Sequence, residues 1–150
     1  MSSTKIRAAL LDGDIAKANS YLGYPFMLNG TVVKGKGLGK QLDYPTANIN
    51  IKEDYKLIPK QGAYIVNATI NEQLVYGMMN IGMNPTVNGN KQTIEVHFLN
   101  FDNDLYEETL QINLLERIRD EEKFESVDAL KAQLAKDKIF TQDYIAKQHD

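Results

Sequence analysis

Three stretches of this chain alternate apolar and polar residues with a period of two. That pattern limits the possible folds more than any other feature of the sequence. In Gly62–Ile70, Tyr64, Val66, Ala68 and Ile70 fall on one face, with Asn67 and Thr69 on the other. In Thr93–Leu99, Ile94, Val96 and Phe98 face one way and Thr93, Glu95 and His97 the other. In Thr109–Leu115, Leu110, Ile112 and Leu114 form the inward set. Phe26–Val33 and Gln73–Ile81 read as further strands. Asn71-Glu72 turns one strand into the next, and Pro85 is expected to break the run that follows. Asn88-Gly89 predicts a type I′ hairpin, because both central positions of that turn need positive φ. Asp102-Asn103-Asp104 marks another turn. Short strands between turn signals suggest an antiparallel sheet, closed into a barrel or folded as a sandwich. Closure would remove the edges that invite aggregation.

Helical patterns flank the strands. Ile6, Leu10 and Leu11 recur at helical spacing, Asp12-Gly13-Asp14 interrupts, and Asp14 can cap a second short helix carrying Ile15, Ala18 and Leu22. Gly23-Tyr24-Pro25 ends this segment, which reads as an appendage. At the other end Ser126 is a candidate N-cap, with Asp128 in the first turn. Leu130, Leu134 and Ile145 give that helix an apolar face, with a break expected near Thr141. The 150 residues fit one compact domain.

Composition narrows the chemistry. The formal net charge of −3 argues against nucleic acid as a partner, which would call for a basic stripe. There are no cysteines, so disulfides, thiolate metal sites and a Cys–His catalytic pair are excluded. The two histidines, His97 and His149, have no cysteine beside them to build a structural zinc site. No apolar run is long enough for a membrane-spanning helix, and Met1-Ser2-Ser3-Thr4-Lys5 lacks the apolar stretch of a signal peptide. A soluble, cytoplasmic protein without a membrane partner is the expectation.

Gly30-Thr31-Val32-Val33-Lys34-Gly35-Lys36-Gly37 is a near miss to a P-loop. Gly37 stands where a hydroxyl should hold magnesium, and the chain runs to Pro45 instead of into a helix. A dinucleotide fingerprint fails as well, since Lys40 replaces its third glycine and no βαβ unit surrounds it. What remains is physical. Gly35, Gly37 and Gly39 let backbone N–H groups approach an anion, and Lys34, Lys36 and Lys40 add positive charge. Just beyond, Thr46 and Asn48 stand two apart, so an extended backbone aims a hydroxyl and an amide oxygen to the same side. Both are hard ligands suited to magnesium beside phosphate.

The order Gly-x-Val-Val-x-Gly-x-Gly-x-Gly then Pro45-Thr46-Ala47-Asn48 resembles the riboflavin kinase family. So do Gly62-Ala63-Tyr64, Asn80-Ile81-Gly82 with Pro85-Thr86, Glu95-Val96-His97, Leu105-Tyr106, and Arg119-Asp120-Glu121-Glu122-Lys123-Phe124. The ordered set covers about residues 26–137. Three positions depart from the family pattern: Asp43 and Glu107 replace glycines, and Ala63 replaces valine. The resemblance implies a mostly β fold, a closed antiparallel barrel of about six strands with a C-terminal helix, to which this chain adds a short helical N-terminal extension. It implies transfer of the γ-phosphoryl group of ATP to the 5′-hydroxyl of riboflavin, giving FMN and ADP.

Residue roles follow from the same motifs. The resemblance makes Glu95 the catalytic base. Gly35, Lys36, Gly37 and Gly39 hold the ATP phosphates, and Thr46 and Asn48 bind nucleotide and Mg2+. Arg119 and Glu121 lie on the flavin side. His97 shares the face of Glu95 and reads as a pocket or a surface residue, while Tyr106 and Phe124 read as core. Residues 1–24 resemble the end of an adenylyltransferase domain of bacterial bifunctional FAD synthetases, so 25–150 would be the kinase domain and an adenylyltransferase partner domain would be missing. The alternative is a flavin- or nucleotide-binding barrel without turnover. A third, a single-strand-binding barrel, is disfavoured by the acidic balance.

Overall fold

The structure is a computed structural model that describes residues 3–33, 44–51, 57–101 and 103–148. Two helices, α1 (Ser3–Asp12) and α2 (Ile15–Leu22), precede β1 (Phe26–Val33), β2 (Ala47–Asn50), β3 (Gly62–Ile70), β4 (Gln73–Thr86), β5 (Gly89–Phe98) and β6 (Thr109–Asp120). A long helix, α3 (Val127–Gln148), ends the chain. The six strands form a closed barrel in the order β1-β2-β5-β4-β3-β6, antiparallel throughout. Of the two architectures open to the alternating pattern, this is the barrel.

The alternation explains the interior. Leu28, Tyr64, Val66, Met79, Ile81, Val96, Ile112 and Leu114 are all within one percent of complete burial and fill the lumen as one cluster. Each such side chain contributes about 1.5–3 kcal/mol relative to an exposed one. The outer face is covered in one place. Ala63, Ile65 and Met78 point away from the lumen yet are also buried. There α3 packs against β4 and β6, on either side of β3.

The N-terminal helices are part of the packing rather than an appendage. Ala9, Leu10, Ile15 and Ala18 belong to the same core cluster as the barrel. Asp14 caps α2 by accepting from the Lys17 N–H at 3.1 Å, and Gly23 closes it in the left-handed conformation at φ 82°. Asn19 then ties α2 to two strands, donating to the Leu114 carbonyl and accepting from the Phe26 N–H, each at 2.8 Å.

Arg117 seals the end of the barrel near these helices. Its Nη1 donates to the Tyr64 hydroxyl at 2.6 Å, and its Nη2 donates to the Gln61 carbonyl at 2.9 Å and to Asp120 Oδ1 at 2.6 Å. The Tyr64 hydroxyl in turn donates to the Lys60 carbonyl. Burial raises the Tyr64 pKa, with the Arg117 charge opposing. The Arg117 hydrogen bond is the main cause that lowers the Asp120 pKa.

Three local expectations change. The hairpin turn between β4 and β5 is Val87-Asn88, since Thr86 pairs with Gly89. The turn with two positive φ values is Asn71-Glu72, at 51° and 68°. Pro85 does not end β4: it pairs with Asn90. Beyond Ile81 that strand has left β3, so among the described residues it pairs on one side only, where a residue without an N–H is tolerated. Helix α3 runs through Thr141 unbroken, because the buried hydroxyl donates to the Asp137 carbonyl one turn back at 2.8 Å.

Glu107 stands where the family pattern has glycine, and its φ of 72° keeps the left-handed backbone. Its N–H donates to the Val32 carbonyl at 2.9 Å. Such a conformation costs a residue with a Cβ about 1–2 kcal/mol. We expect Glu107→Gly to raise unfolding free energy in urea by about 0.5–1 kcal/mol, the relief being partly offset by glycine's entropy. A loss of stability would show that Glu107 is held there by something other than tolerated strain.

Candidate functional site

Strand register builds the site. Asn48 on β2 pairs with Glu95 on β5, and Glu95 pairs with Asn80 on β4. Asn80 pairs with Ala63 on β3, and Ala63 with Arg119 on β6. Directly opposed residues of antiparallel strands share a face. One continuous row, Asn48–Glu95–Asn80–Ala63–Arg119, therefore crosses five strands on the outside of the barrel. The neighbouring inward row contains Val96, Met79 and Tyr64. The core needs that inward row, which forces Glu95 and Asn80 outward.

A cleft of about 400 Å³ lies over this row, between the sheet, the β6–α3 connection and α3. Its polar lining includes Thr46, Asn80, Glu95, His97, Arg119 and Glu121; its apolar lining includes Met78, Met83, Phe124 and Leu134. Of the expected site residues, the structure thus gathers Thr46, Glu95, Arg119 and Glu121 in one cavity. Asn48 is not among the lining residues but stands directly across the ladder from Glu95. Gly35, Lys36, Gly37, Gly39 and Asp43 lie outside the described residues, as does His149.

Each side chain has a particular setting. Glu121 Oε2 accepts from Asn80 Nδ2 at 3.1 Å, which links the connection after β6 to the middle of the row. Gly82 makes room for this, since a Cβ there would stand 2.2 Å from the same carboxylate oxygen. His97 Nδ1 lies 2.8 Å from the Pro45 carbonyl and its ring meets Tyr44 edge-on at 5.2 Å. Burial lowers the His97 pKa, the bond to Pro45 opposes this, and the charge of Lys138 adds to it.

Arg119 is engaged by the protein at all three nitrogens. Nε donates to both oxygens of Asp137 at 3.1 Å, Nη2 to Asp137 Oδ2 at 2.9 Å, and Nη1 to the Asp120 carbonyl at 3.1 Å. Its guanidinium also lies over the Phe124 ring, 5.8 Å from the centroid. Asp137 is only 3% exposed and takes a further bond from Gln133 Nε2 at 2.9 Å. Within the cleft, then, Arg119 fixes α3 and Phe124 in place. Phe124 lines the cavity rather than the core, and Tyr106 is 42% exposed. Sequence reasoning missed Asp137, whose place in a charged helix gives no periodic signal. It gave Asn80 no role, although the residue sits in a quoted motif.

Thr46 and Asn48 present two neutral oxygen donors two residues apart. Among the described residues, no group of three or more His, Cys, Asp or Glu side chains could enclose a metal. The set suits an ion that keeps most of its oxygen ligands from water and substrate.

A closed barrel with an apolar core inside and a polar row under a roofed cleft outside defines a barrel protein whose candidate small-molecule site lies on its outer face. The family model "Flavokinase: Riboflavin kinase" matches residues 22–145. The chain belongs to the riboflavin kinase family. A bifunctional riboflavin kinase/FMN adenylyltransferase of Listeria monocytogenes is 42% identical over 100% of this chain and 48% of its own length. A riboflavin kinase structure from Trypanosoma brucei matches with a TM-score of 0.56 and 28% identity, over 82% of this chain and 81% of that one. A crystal structure described as a macrolide-efflux protein from Streptococcus pneumoniae matches with a TM-score of 0.88 and 40% identity, over 94% of this chain and 46% of that one. The last description differs from the others. In the present chain the lumen is a packed core, and among the described residues no helix is long and apolar enough to cross a membrane. The chain spans about half the length of the curated relatives it matches.

The buried pair generates a stability prediction. Asp137→Ala leaves the Arg119 charge uncompensated and should cost about 3–5 kcal/mol in chemical denaturation. The double variant Arg119→Met/Asp137→Leu should recover most of that loss. A cost below about 1 kcal/mol for Asp137→Ala would mean that the pair is not a buried tie.

Proposed function

We propose that this chain is a riboflavin kinase domain, which transfers the γ-phosphoryl group of ATP to the 5′-hydroxyl of riboflavin and yields FMN and ADP. The observation that carries this is the outer row: it sets Glu95 between Asn48 and Asn80, beside a cleft with an apolar wall. Family membership and the names of the relatives support the same chemistry.

Glu95 accepts the proton of the 5′-hydroxyl as the oxygen–phosphorus bond forms and the bond to the β-phosphate oxygen breaks. Asn80 sits beside it and is itself held by Glu121. Thr46 and Asn48 hold Mg2+, a role their hard, neutral oxygens fit. Bound there, the ion would neutralise phosphate charge. Gly35, Lys36, Gly37 and Gly39 cradle the phosphates, a role that stands on the motif. The flavin ring lies against Met78, Met83, Phe124 and Leu134, with Arg119 and Glu121 on that side. Arg119 acts there by fixing Phe124 and α3.

We further propose that residues 1–24 are a helical linker resembling the end of an adenylyltransferase domain and 25–150 the kinase domain, the linker packing against the barrel it leads into. The double names of the relatives, and the half of their length that lies outside the match, support an adenylyltransferase domain beside a kinase domain in those proteins.

Incubation with riboflavin, ATP and Mg2+ should form FMN and ADP in equal amounts. Glu95→Gln should lower kcat by about 10²–10⁴-fold while riboflavin affinity stays within about threefold. Absence of FMN from the wild-type chain would overturn the activity. An undiminished kcat in the variant would overturn the role of Glu95.

A further inference from the structure

We infer that His97 is a positioning residue for the metal–nucleotide side of the site, holding Thr46 in place through the main-chain carbonyl of Pro45. Asn48 needs no such help. It lies within β2, where ladder pairing with both β1 and β5 fixes it. Thr46 precedes the first residue of β2, Ala47, which pairs with Val96, so the sheet holds its C-terminal side while Pro45 on its N-terminal side lies outside the strand. Among the described residues a side chain bonds to this segment: His97 Nδ1 to the Pro45 oxygen at 2.8 Å.

The chemistry of that bond fixes the state of the ring. A carbonyl only accepts, so Nδ1 carries the hydrogen and donates. The residue is held in other ways too. Its backbone pairs with Met78 on β4, and Tyr44 meets its edge. A rigid strand thus reaches across to the segment just ahead of β2. His97 lies two residues from Glu95 on the same face of the same strand. One strand therefore carries the proposed base and also the tether for a proposed metal ligand, so the spacing between the two is set within β5. The cavity lining includes Tyr44, Thr46, Glu95 and His97 together.

This inference rests on Thr46 acting as a metal ligand, and the test separates the two. Three variants of the full chain are compared with wild type: His97→Phe, His97→Asn and Thr46→Ala. Phenylalanine keeps a ring against Tyr44 and removes the donor. The asparagine amide N–H replaces the Nδ1–H at nearly the same distance from the backbone. The readouts are Mg·ADP affinity by calorimetry, Mn2+ affinity by electron paramagnetic resonance, and riboflavin affinity by fluorescence. His97→Phe should weaken Mg·ADP and Mn2+ binding by about fivefold to tenfold, the loss expected for one hydrogen bond. Riboflavin binding should change by less than about twofold, and His97→Asn should return metal–nucleotide affinity to within about threefold of wild type. A merely structural role would weaken flavin and nucleotide binding alike and would not be rescued by asparagine; either result overturns the inference. If Thr46→Ala weakens metal binding and His97→Phe does not, Thr46 keeps its role and His97 loses its own. If Thr46→Ala has no effect, the metal assignment of Thr46 falls and the inference falls with it.

Discussion

Strand β5 has one way to pair with both of its neighbours. Ile94, Val96 and Phe98 must face the lumen, and a slip of one residue would turn all three outward and bring Glu95 and His97 into the core. In an open sheet an edge strand could shift at modest cost. Here β5 is bounded by β2 on one side and β4 on the other, and the barrel closes through β6 and β1. The register of every pair is therefore fixed by packing elsewhere in the ring. The polar row from Asn48 to Arg119 is a consequence of that register, and the relative placing of its side chains follows from the hydrophobic core.

The division of labour between the two faces has a further effect. The lumen is occupied by apolar side chains, so it contributes stability. The outer face would be solvated if α3 did not cover part of it. Docking that helix brings two charges, Arg119 and Asp137, out of water. Such a pair is a poor source of net stability, because desolvation offsets much of its attraction. It does fix the angle and height of α3 over the sheet, because only one placement satisfies both oxygens of Asp137. The same contact sets the Phe124 ring against the guanidinium and so shapes the wall of the cleft.

Much of the barrel was legible in the sequence, because alternation at β5 is strict, that at β6 holds to Leu114 and that at β3 from Val66 onward, and most inward residues are large. Barrel or sandwich was not decidable from that pattern alone, since both bury one face of each strand. Pro85 and Thr141 misled for a shared reason. Each breaks a local rule that the surroundings satisfy, through one-sided pairing for the proline and a backbone acceptor for the threonine. The candidate site was legible where motifs carried it, as at Thr46, Asn48 and Glu95. It was illegible where contacts between distant elements carry it. Asp137 looks like one more charge on a polar helix until β6 brings Arg119 to it, and the partner of His97 is a carbonyl, which leaves no mark in a sequence.

The central claim is that the outer row, not the lumen, is where phosphate and flavin meet. A crystal structure of the chain soaked with riboflavin and Mg·ADP tests it most directly. The account predicts the flavin ring against Met78, Met83 and Phe124, with the ribityl 5′-oxygen about 2.6–3.2 Å from the Glu95 carboxylate. It also predicts the metal about 2.0–2.1 Å from the side-chain oxygens of Thr46 and Asn48. Riboflavin seated elsewhere, for example in the groove lined by Ile6, Leu10, Leu22 and Phe26, would contradict it.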